Sequence, residues 1–273
     1  YPMILFSAAL VGLGSSIFHP ESSRMARLAS GGRHGFAQSL FQVGGNCGSA
    51  IGPLLAAFIV VPNGQKSIAW FAIVALVGMA VLFNVGRWYA QKLLLKQTAG
   101  HKASGTVSLQ RLVVFRSIAI LIALMFSKFV YLASISTYLT FYLISKFQVS
   151  VSAAQLFLFL FLFATAAGTF LGGPLGDKIG RKPVMLGSIL GVLPFTLLLP
   201  HANLFWTAAL TIPIGLVLAS AFSAIVVYAQ DLVPGRTGVI AGLFFGFAFG
   251  MGGVGAAVLG VIADKTSVDY AFQ

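Results

Sequence analysis

The stretch GPLGDKIGRKPVM, residues 173–185, places a short charged turn between two long apolar runs. Glycine has no Cβ atom, so Gly173 allows two helices to pack closely and Gly180 allows the chain to turn tightly. A carboxylate such as Asp177 accepts hydrogen bonds from the free backbone N–H groups at the start of a helix. The basic residues of the turn, which are expected at the lipid headgroups, are Lys178, Arg181 and Lys182. A solvated basic loop would leave the Gly–Asp–Gly spacing unexplained, so we predict a structural turn between two membrane spans.

The composition of the chain is that of a membrane protein. Of its 273 residues, 58% are hydrophobic and 8% are charged, against about 25% charged residues in soluble domains. The 31 glycines favour close contacts between membrane helices, and the 25 phenylalanines suit a surface in lipid. The single cysteine, Cys47, excludes an intrachain disulfide. Because the sequence starts at Tyr1, without Met and inside an apolar run, we expect it to be a fragment.

Apolar runs of about 20 residues, the length that crosses a bilayer as a helix, recur along the chain. Glycine, proline and charged residues mark the ends of these runs. The chain therefore has eight predicted spans, at about residues 3–30, 36–61, 67–90, 115–145, 151–176, 183–200, 204–231 and 237–263. The most polar and basic segment, residues 91–114, is predicted to be a central cytoplasmic loop. It divides the chain into an N-terminal helix bundle, 1–90, and a C-terminal helix bundle, 115–273. The predicted fold class is therefore an all-α membrane protein.

The basic residues determine the predicted orientation of these spans. Of the 17 Lys and Arg residues, 13 lie in or beside alternate connections, three lie in the other connections, and Lys128 lies within a span. Cytoplasmic loops of membrane proteins carry the excess of positive charge, so the first set of connections is predicted to be cytoplasmic. The net charge of +12 then reflects topology, and we expect membrane lipid, and no nucleic acid, as a partner.

The sequence contains an internal repeat with an offset of 203 residues. The shift places ASGGRHGFAQSLF, residues 29–41, on LVPGRTGVIAGLF, residues 232–244, with Gly35 on Gly238. Each copy is a tight basic turn between two long apolar helices. Internal repeats of this kind are typical of transporter folds, in which the substrate site lies between the repeats.

The turn at residues 173–185 resembles the G-x-L-a-D-r-x-G-r-k-x-x-l signature of the major facilitator superfamily, with Gly176, Lys178 and Met185 in place of Ala, Arg and Leu. The resemblance implies a major facilitator fold of twelve helices, of which these eight are the fourth to the eleventh, so that the first three and the last are missing. In the family this turn latches the cytoplasmic gate. The residues to which the resemblance assigns this gating role are Gly173, Asp177, Gly180, Arg181 and Lys182.

A second motif, GSAIGPLLAA at residues 48–57, resembles the antiporter signature of the superfamily's drug exporters, which ends G-x-x-x-G-P-x-x-G-G. Ala56 and Ala57 replace the last two glycines, and Ser39 stands where the signature has an upstream glycine. At a spacing of four residues, one face of this helix presents small residues for packing and another presents polar side chains to a cavity. The packing face carries Gly44, Gly48 and Gly52, followed by Pro53, and the polar face carries Gln38, Gln42 and Asn46. Packing alone would also explain the glycines, so antiport rests here on the resemblance.

The first predicted span ends in SSIFHPESSRMAR, residues 15–27, which puts charged groups at membrane depth. Such groups are costly and usually functional. Glu21 lies about 15 Å of helix inside the following turn and needs a partner, for which Arg24 at i+3 is within reach. His19 is of the residue type that changes charge near physiological pH. We therefore predict that Glu21 and His19 carry a coupling proton and that Arg24 helps to bind a substrate anion; the alternative is an ion pair that anchors the helix end.

The fourth predicted span carries a cation and several tyrosines at spacings of three or four residues, so they share one side of the helix. Lys128 lies about 18 Å along the helix from the basic residue before it, too far for its ammonium group to reach the headgroups. Tyr131 and Tyr138 follow on the same side. Together with Gln42 and Asn46, this stripe predicts a substrate-binding surface; the alternative is tyrosine anchoring at the membrane interface.

These features favour a secondary active transporter over an enzyme. The sequence contains no H-E-x-x-H, G-x-S-x-G or phosphate-loop motif, and the run GMGGVG at 250–255 lies deep in an apolar helix with no strand before it. We expect no catalytic residues, no cofactor and no metal. The expected protein is a monomeric proton-coupled antiporter of a bacterial inner membrane, whose partners are lipid, protons and a small anionic drug that it exports by alternating access. The alternatives are an uptake symporter or uniporter for another small solute, and a non-transporting sensor on the same fold.

Overall fold

The structure, a computed structural model, describes residues 2–98 and 111–266, with the helical backbone alone for residues 92–98. The α-helices of the described residues are α1 (Pro2–Ala29), α2 (His34–Leu55), α3 (Val61–Asn63), α4 (Ala72–Thr98), α5 (Arg111–Phe147), α6 (Val151–Ile179), α7 (Arg181–Leu190), α8 (Leu193–Leu198), α9 (Leu204–Ser220), α10 (Phe222–Leu232) and α11 (Thr237–Lys265). Shorter helical turns are the π-helix Ala56–Val60 and the 3₁₀-helices Gln65–Phe71 and Leu199–His201. The described residues contain no β-strand, which confirms the predicted all-α fold class. Of the predicted central loop, 91–114, residues 99–110 lie outside the described residues.

Eight segments of the described chain are long and apolar enough to cross a membrane. They are Pro2–Ala29, His34–Asn63, Gln65–Gln91, Arg111–Phe147, Val151–Ile179, Arg181–His201, Leu204–Leu232 and Thr237–Lys265. They agree in number and order with the predicted spans, which are thus confirmed by length and composition. The ends differ by several residues because the helices continue past the point at which the composition becomes polar.

Two compact units make up the chain, one formed by Tyr1–Pro53 with Leu109–Gln273 and the other by Leu54–Ser108. In the second unit, α4 has exposed large apolar side chains, such as those of Val77 and Phe83. Such a surface suits lipid, because lipid tails are as apolar as the side chains that they cover. The division into bundles 1–90 and 115–273 stays a prediction.

The core of the first unit is built around α10, most of which is buried. Phe222 of this helix belongs to a hydrophobic cluster that also contains Met125 of α5, Met185 of α7 and Phe245 of α11. A second cluster joins α5, α6 and α9 and includes the fully buried ring of Phe161. The two clusters tie the helices of the C-terminal part together.

Glycines let α6 and α9 approach each other to backbone contact. A Cβ atom at Gly168 would overlap the carbonyl group of Leu216, and one at Gly172 would overlap the carbonyl group of Ser220. Membrane helices have no hydrophobic drive between them, so small residues at a crossing permit the close packing that holds them together.

Several prolines lie within helices of the first unit, among them Pro20 and Pro53. The ring of Pro20 on α1 packs against Gly242 of α11, where a Cβ atom would come within 3.3 Å of it. Pro53 near the end of α2 precedes the π-helical turn Ala56–Val60. Proline lacks an N–H group and clashes with the preceding turn, so a locally widened helix is the expected consequence.

We expect Gly172→Ala to destabilise the folded protein, because the added methyl group has no space against the backbone of α9. The expected loss is about 1–3 kcal/mol, the range for overpacking. Gly187→Ala on α7 is the matched control, since a Cβ atom there meets nothing within 4 Å. Thermal unfolding of the two purified variants in detergent measures the difference, and equal transition temperatures would contradict the close packing of α6 on α9.

Candidate functional site

A cavity of about 460 Å³ lies in the first unit, with walls from α2, α5, α6, α9, α10 and α11. Most of its wall is apolar, and the rings of Phe129, Phe222 and Phe249 form part of it. The polar lining consists of the predicted site residues Gln42, Asn46 and Lys128 and of the hydroxyl residues Ser49, Ser136, Thr137, Thr165 and Thr169. A mainly apolar cavity with a few polar groups is the usual form of a small-molecule site.

Lys128 provides the positive charge of this cavity. The residue is 7% exposed, and its Nζ donates a hydrogen bond of 2.6 Å to the Oγ of Ser188 on α7. Among the described residues, no carboxylate forms an ion pair with Lys128. A buried cation without a counter-ion is costly, so this ammonium group is suited to binding an anion that enters the cavity.

The polar face of α2 contributes two amide side chains to the cavity. Gln42 is 9% exposed and has no hydrogen-bond partner among the described residues. Asn46 donates from Nδ2 to the Oγ1 of Thr169 at 2.8 Å, and Thr169 donates to the carbonyl group of Thr165 at 2.9 Å. The Gln42 amide is therefore available to a ligand, whereas the Asn46 amide group is already engaged with α6.

The glycine-rich face of α2 has no such contacts. Gly44, Gly48 and Gly52 are exposed, and a Cβ atom at each would meet no atom of the described chain within 4 Å. Pro53 follows them at the end of the helix. The helix-packing role of this motif stays a prediction.

An aromatic cluster borders the cavity toward the predicted cytoplasmic ends of the helices. The ring centroid of His19 lies 5.0 Å from that of Phe245, 5.1 Å from that of Phe249 and 6.0 Å from that of Phe41. The Nδ1 atom of His19 lies 3.0 Å from the hydroxyl and 3.1 Å from the carbonyl oxygen of Ser15, one turn earlier on α1. Since Phe249 also lines the cavity, these rings connect the cavity wall to α1 and α2.

A buried hydrogen-bond network follows the aromatic cluster and joins α1, α2 and α10. Ser23 donates to the Oε1 of Gln38 at 2.7 Å and accepts from the Nε2 of Gln230 at 3.1 Å. None of these three residues is more than 2% exposed. Arg27 donates to the Oε1 of Gln230 at 3.1 Å, which connects the network to the charged groups at the helix ends.

Two aspartates hold the predicted cytoplasmic ends of the helices together, and we call these contacts the cytoplasmic latch. Asp231 of α10 accepts a hydrogen bond of 2.6 Å from Arg27 of α1 and pairs with Arg181 of α7. Asp177 of α6 accepts two hydrogen bonds of 2.9 Å from the backbone N–H groups of residues 35–36, at the start of α2. A carboxylate at this place satisfies N–H groups that have no partner within the helix and interacts favourably with the helix dipole. This is the type of contact predicted for Asp177.

The other residues of the gating motif have different surroundings. At Gly173 a Cβ atom would overlap the backbone of Gly35 and the side chain of Ser39, so α6 touches α2 there. Gly180 has a φ angle of +96°, which favours glycine, and it separates α6 from α7. Lys182 is exposed. The motif therefore supplies a close helix contact, a turn and surface charge around the latch.

The charged residues of α1 lie apart from the cavity. Arg24 donates to Glu21 at 3.4 Å, as its position at i+3 predicted, and their side chains are 45% and 42% exposed. Within the described chain, no hydrogen bond joins His19 to Glu21, because residues two apart on a helix point to nearly opposite sides. None of these three residues belongs to the described cavity lining. The structure thus separates the two predicted proton carriers and brings neither of them beside Lys128.

The predicted tyrosine stripe also lies outside the described cavity lining. Tyr131 packs against the cluster around Phe161. The hydroxyl group of Tyr138 donates to the carbonyl group of Ala256 on α11 at 2.8 Å. Both tyrosines therefore hold helices together here, and Lys128 reaches the cavity without them.

Among the residues that hold Lys128 or form the latch, Ser188, Asp231 and Arg27 have no counterpart in the motifs. Ser188 and Asp231 are not singled out by the sequence, and Arg27 is expected there only as a topological charge. A signal exists for Asp231, since an acid at the end of a predicted span needs a partner. None exists for Ser188, because serine hydroxyls commonly bond to their own helix and the contact with Lys128 forms only when α5 and α7 have packed.

The sequence profile of the Major Facilitator Superfamily matches residues 1–154 and 124–273 of the chain. The fosmidomycin resistance protein of Escherichia coli (strain K12) is 60% identical over 270 residues, which cover 99% of this chain and 66% of that protein. An uncharacterized MFS-type transporter of Bacillus subtilis (strain 168), YfnC, is 44% identical over 268 residues, 97% of this chain and 65% of that protein. A probable sugar efflux transporter of Helicobacter pylori (strain P12) is 26% identical over 227 residues, 81% of this chain and 57% of that protein. The chain thus spans slightly less than two thirds of the first two relatives.

We expect Asp177→Asn to open the cytoplasmic latch more often, because the substitution removes the charge-assisted part of the helix cap. The reporter is Ser39→Cys in a Cys47→Ala background, since Ser39 is 0% exposed beside Gly173. Labelling by a water-soluble maleimide in inside-out vesicles should become up to about tenfold faster, which corresponds to the loss of one charge-assisted hydrogen bond. Asp264→Asn, an exposed acid near the other end of α11, is the control. Equal rates for both variants would reduce the motif to a topological turn.

Proposed function

The chain belongs to the major facilitator superfamily, and on this basis we propose that it forms part of a secondary transporter that exports a small anion by alternating access. Family membership and the eight membrane-length helices make it a multi-pass protein of the bacterial inner-membrane type. Its activity, substrate and ion coupling are proposed from the site described above, and no catalytic step is part of the proposal.

The buried ammonium group of Lys128 at the cavity wall is the observation that carries the proposal. A cation that has no carboxylate partner among the described residues favours an anionic ligand, because the charge of the ligand would supply the counter-ion. The amide of Gln42 and the hydroxyl groups of α5 and α6 would hydrogen-bond the remainder of the ligand. The phenyl rings of the wall would pack on its apolar part.

A small phosphonate or carboxylate is the proposed substrate class. The relative from Escherichia coli is named for resistance to fosmidomycin, which is a phosphonate and therefore an anion. A compound with a single anionic group suits this cavity, since Lys128 is the cation of its described lining. We therefore propose export of fosmidomycin, which would give resistance to the drug, as the activity to test.

The contacts on one side of the cavity support alternating access. Along α1, the aromatic cluster at His19, the buried network at Ser23 and the cytoplasmic latch at Arg27 follow one another toward the predicted cytoplasmic end. Each layer joins α1 to helices α10 or α11. Inward opening would require these layers to separate. They consist of ring contacts, hydrogen bonds worth about 1 kcal/mol each and the ion pairs of Asp231.

Proton antiport is the proposed coupling, with Glu21 and His19 as the proton carriers of a monomeric transporter. Uptake of a proton by Glu21 would weaken its pairing with Arg24. Uptake by His19 would place a cation among phenyl rings, which changes how this layer attracts α11. Because the two side chains face different sides of α1, they would act at separate points. Arg24 is then the counter-ion of Glu21 rather than a ligand of the substrate anion.

Uptake by symport or uniport and a non-transporting sensor role are the alternatives on the same fold. Vesicle flux separates them, because an antiporter moves fosmidomycin against a proton gradient, a symporter moves it with the gradient, and a sensor moves none. A transporter that ignores fosmidomycin but moves a neutral sugar would contradict the anion proposal alone.

We expect Lys128→Met to weaken fosmidomycin binding by about tenfold to a hundredfold, the range for losing a hydrogen bond to a charged group. The matched control is Lys146→Met on the same helix, whose ammonium group contacts Tyr142 and the carbonyl group of Pro200 instead of the cavity. Binding is measured on the purified full-length protein by isothermal titration. An equal effect of both substitutions would remove Lys128 from the substrate site.

We expect Glu21→Gln to abolish fosmidomycin export driven by a pH gradient in proteoliposomes but to spare exchange of fosmidomycin across the same membrane. The glutamine keeps the size of the side chain and removes the titrating group. Asp264→Asn should affect neither assay. Normal pH-driven export by Glu21→Gln would show that the Glu21–Arg24 pair only anchors the helix end.

A further inference from the structure

We propose that Ser188 is a positioning residue for Lys128, which holds its ammonium group at the cavity wall and connects the anion site to the helix that carries the latch residue Arg181. The proposal rests on the proposed function, in which Lys128 binds the substrate anion. Ser188 lies on α7 and is not part of the cavity lining.

The hydrogen bonds of Ser188 have a defined direction. Its hydroxyl group donates to the carbonyl oxygen of Met185 at 2.8 Å, so its single proton is committed to its own helix. The lone pairs of the oxygen then face the Nζ of Lys128 at 2.6 Å. Because Ser188 is 1% exposed, water does not compete for this oxygen, and the bond has the strength of a charge-assisted contact.

A lysine at a cavity wall needs a hydrogen-bond acceptor that fixes the position of its ammonium group. Its ammonium group ends a flexible four-carbon chain that loses rotational freedom when the group is held in place. Ser188 is the hydrogen-bond partner of Lys128 in the described chain. An ammonium group has three N–H donors, so Ser188 takes one and leaves the others for an anion. Ser188 therefore positions the cation without competing with the ligand.

The position of Ser188 on α7 links this bond to the cytoplasmic latch. Arg181 is the first residue of α7 and pairs with Asp231. It precedes Ser188 by seven residues, so both lie on about the same side of the helix, about 10 Å apart along its axis. An anion that draws the ammonium group into the cavity would pull on Ser188 and thus on the helix whose first turn holds Asp231.

A double-mutant cycle on the full-length protein tests the positioning role, with fosmidomycin binding as the readout. We expect Ser188→Ala to weaken binding by about tenfold, the loss of one hydrogen bond to a charged group. In a Lys128→Met background the same substitution should change binding by less than about twofold, because a residue that acts through Lys128 has nothing left to position. Ser188→Thr, which keeps the hydroxyl group, should restore binding.

Ser220→Ala is the matched control for this cycle. Ser220 likewise donates to the carbonyl group three residues earlier, that of Val217, at 2.8 Å, but it does not contact Lys128. It should bind fosmidomycin as the parent protein does. Additive effects of Ser188→Ala and Lys128→Met would show that Ser188 acts through folding, and parental binding by Ser188→Ala would also overturn the proposal.

The link to the latch is tested with the Ser39→Cys reporter. Saturating fosmidomycin should change the maleimide labelling rate of the parent reporter, and Ser188→Ala should abolish this response at an equally saturating concentration. A response that persists in Ser188→Ala would overturn the link through α7. Failure of the parent protein to bind fosmidomycin would instead refute the proposed function and this inference together, so the two failures are distinguishable.

Discussion

In hydrocarbon, a polar group without a protein partner costs several kcal/mol, and this cost explains where the polar side chains of the chain lie. Many of them lie along the contacts between α1, α2, α6, α7 and α10, where they find partners on other helices. Asp177 finds the N–H groups at the start of α2, and Asp231 finds Arg27 and Arg181. The helices are thus joined by polar groups that cannot face lipid, and glycines such as Gly173 let the backbones come close enough for those bonds.

The same constraint distinguishes the closed side of the site from its binding side. At the cytoplasmic latch, and where Ser23 bonds to Gln38 and Gln230 in the buried network, donors meet acceptors on other helices, and the helices are held together. At the cavity, Lys128 lacks a carboxylate partner and Gln42 lacks a hydrogen-bond partner among the described residues. Paired polar groups therefore hold the helices together on one side, and the cavity wall presents polar groups that are suited to a ligand. Ser188 connects the cavity to the latch, because it bonds to the ammonium group of Lys128 and lies on the helix that carries Arg181.

The two copies of the internal repeat share glycines but differ in several of their charged residues. The offset of 203 residues places Gly35 on Gly238 and Arg27 on Gln230, and the latter two are hydrogen-bonded to each other across the site. Glu21, in contrast, falls on Ala224, so the repeat does not require an acid there. The start of α2 is capped by Asp177, whereas no side-chain cap is formed at Arg236 before α11 within the described chain. Two similar halves can thus pack alike and still carry different charges.

The sequence by itself determined that the chain lies in a membrane, the number and order of the spans, their predicted orientation and the turn at residues 173–185. These properties follow from local composition and spacing, because a run of apolar residues crosses a membrane whatever it packs against. Of the predicted site, the sequence identified Lys128, Gln42 and Asn46 on the cavity wall, since helical periodicity shows which residues share a face. Only the tertiary structure decided that Lys128 meets Ser188 and that Tyr138 bonds to Ala256 of α11. A partner 60 or 118 residues away in the chain depends on how each helix is rotated against its neighbours, and periodicity along one helix carries no information about that rotation.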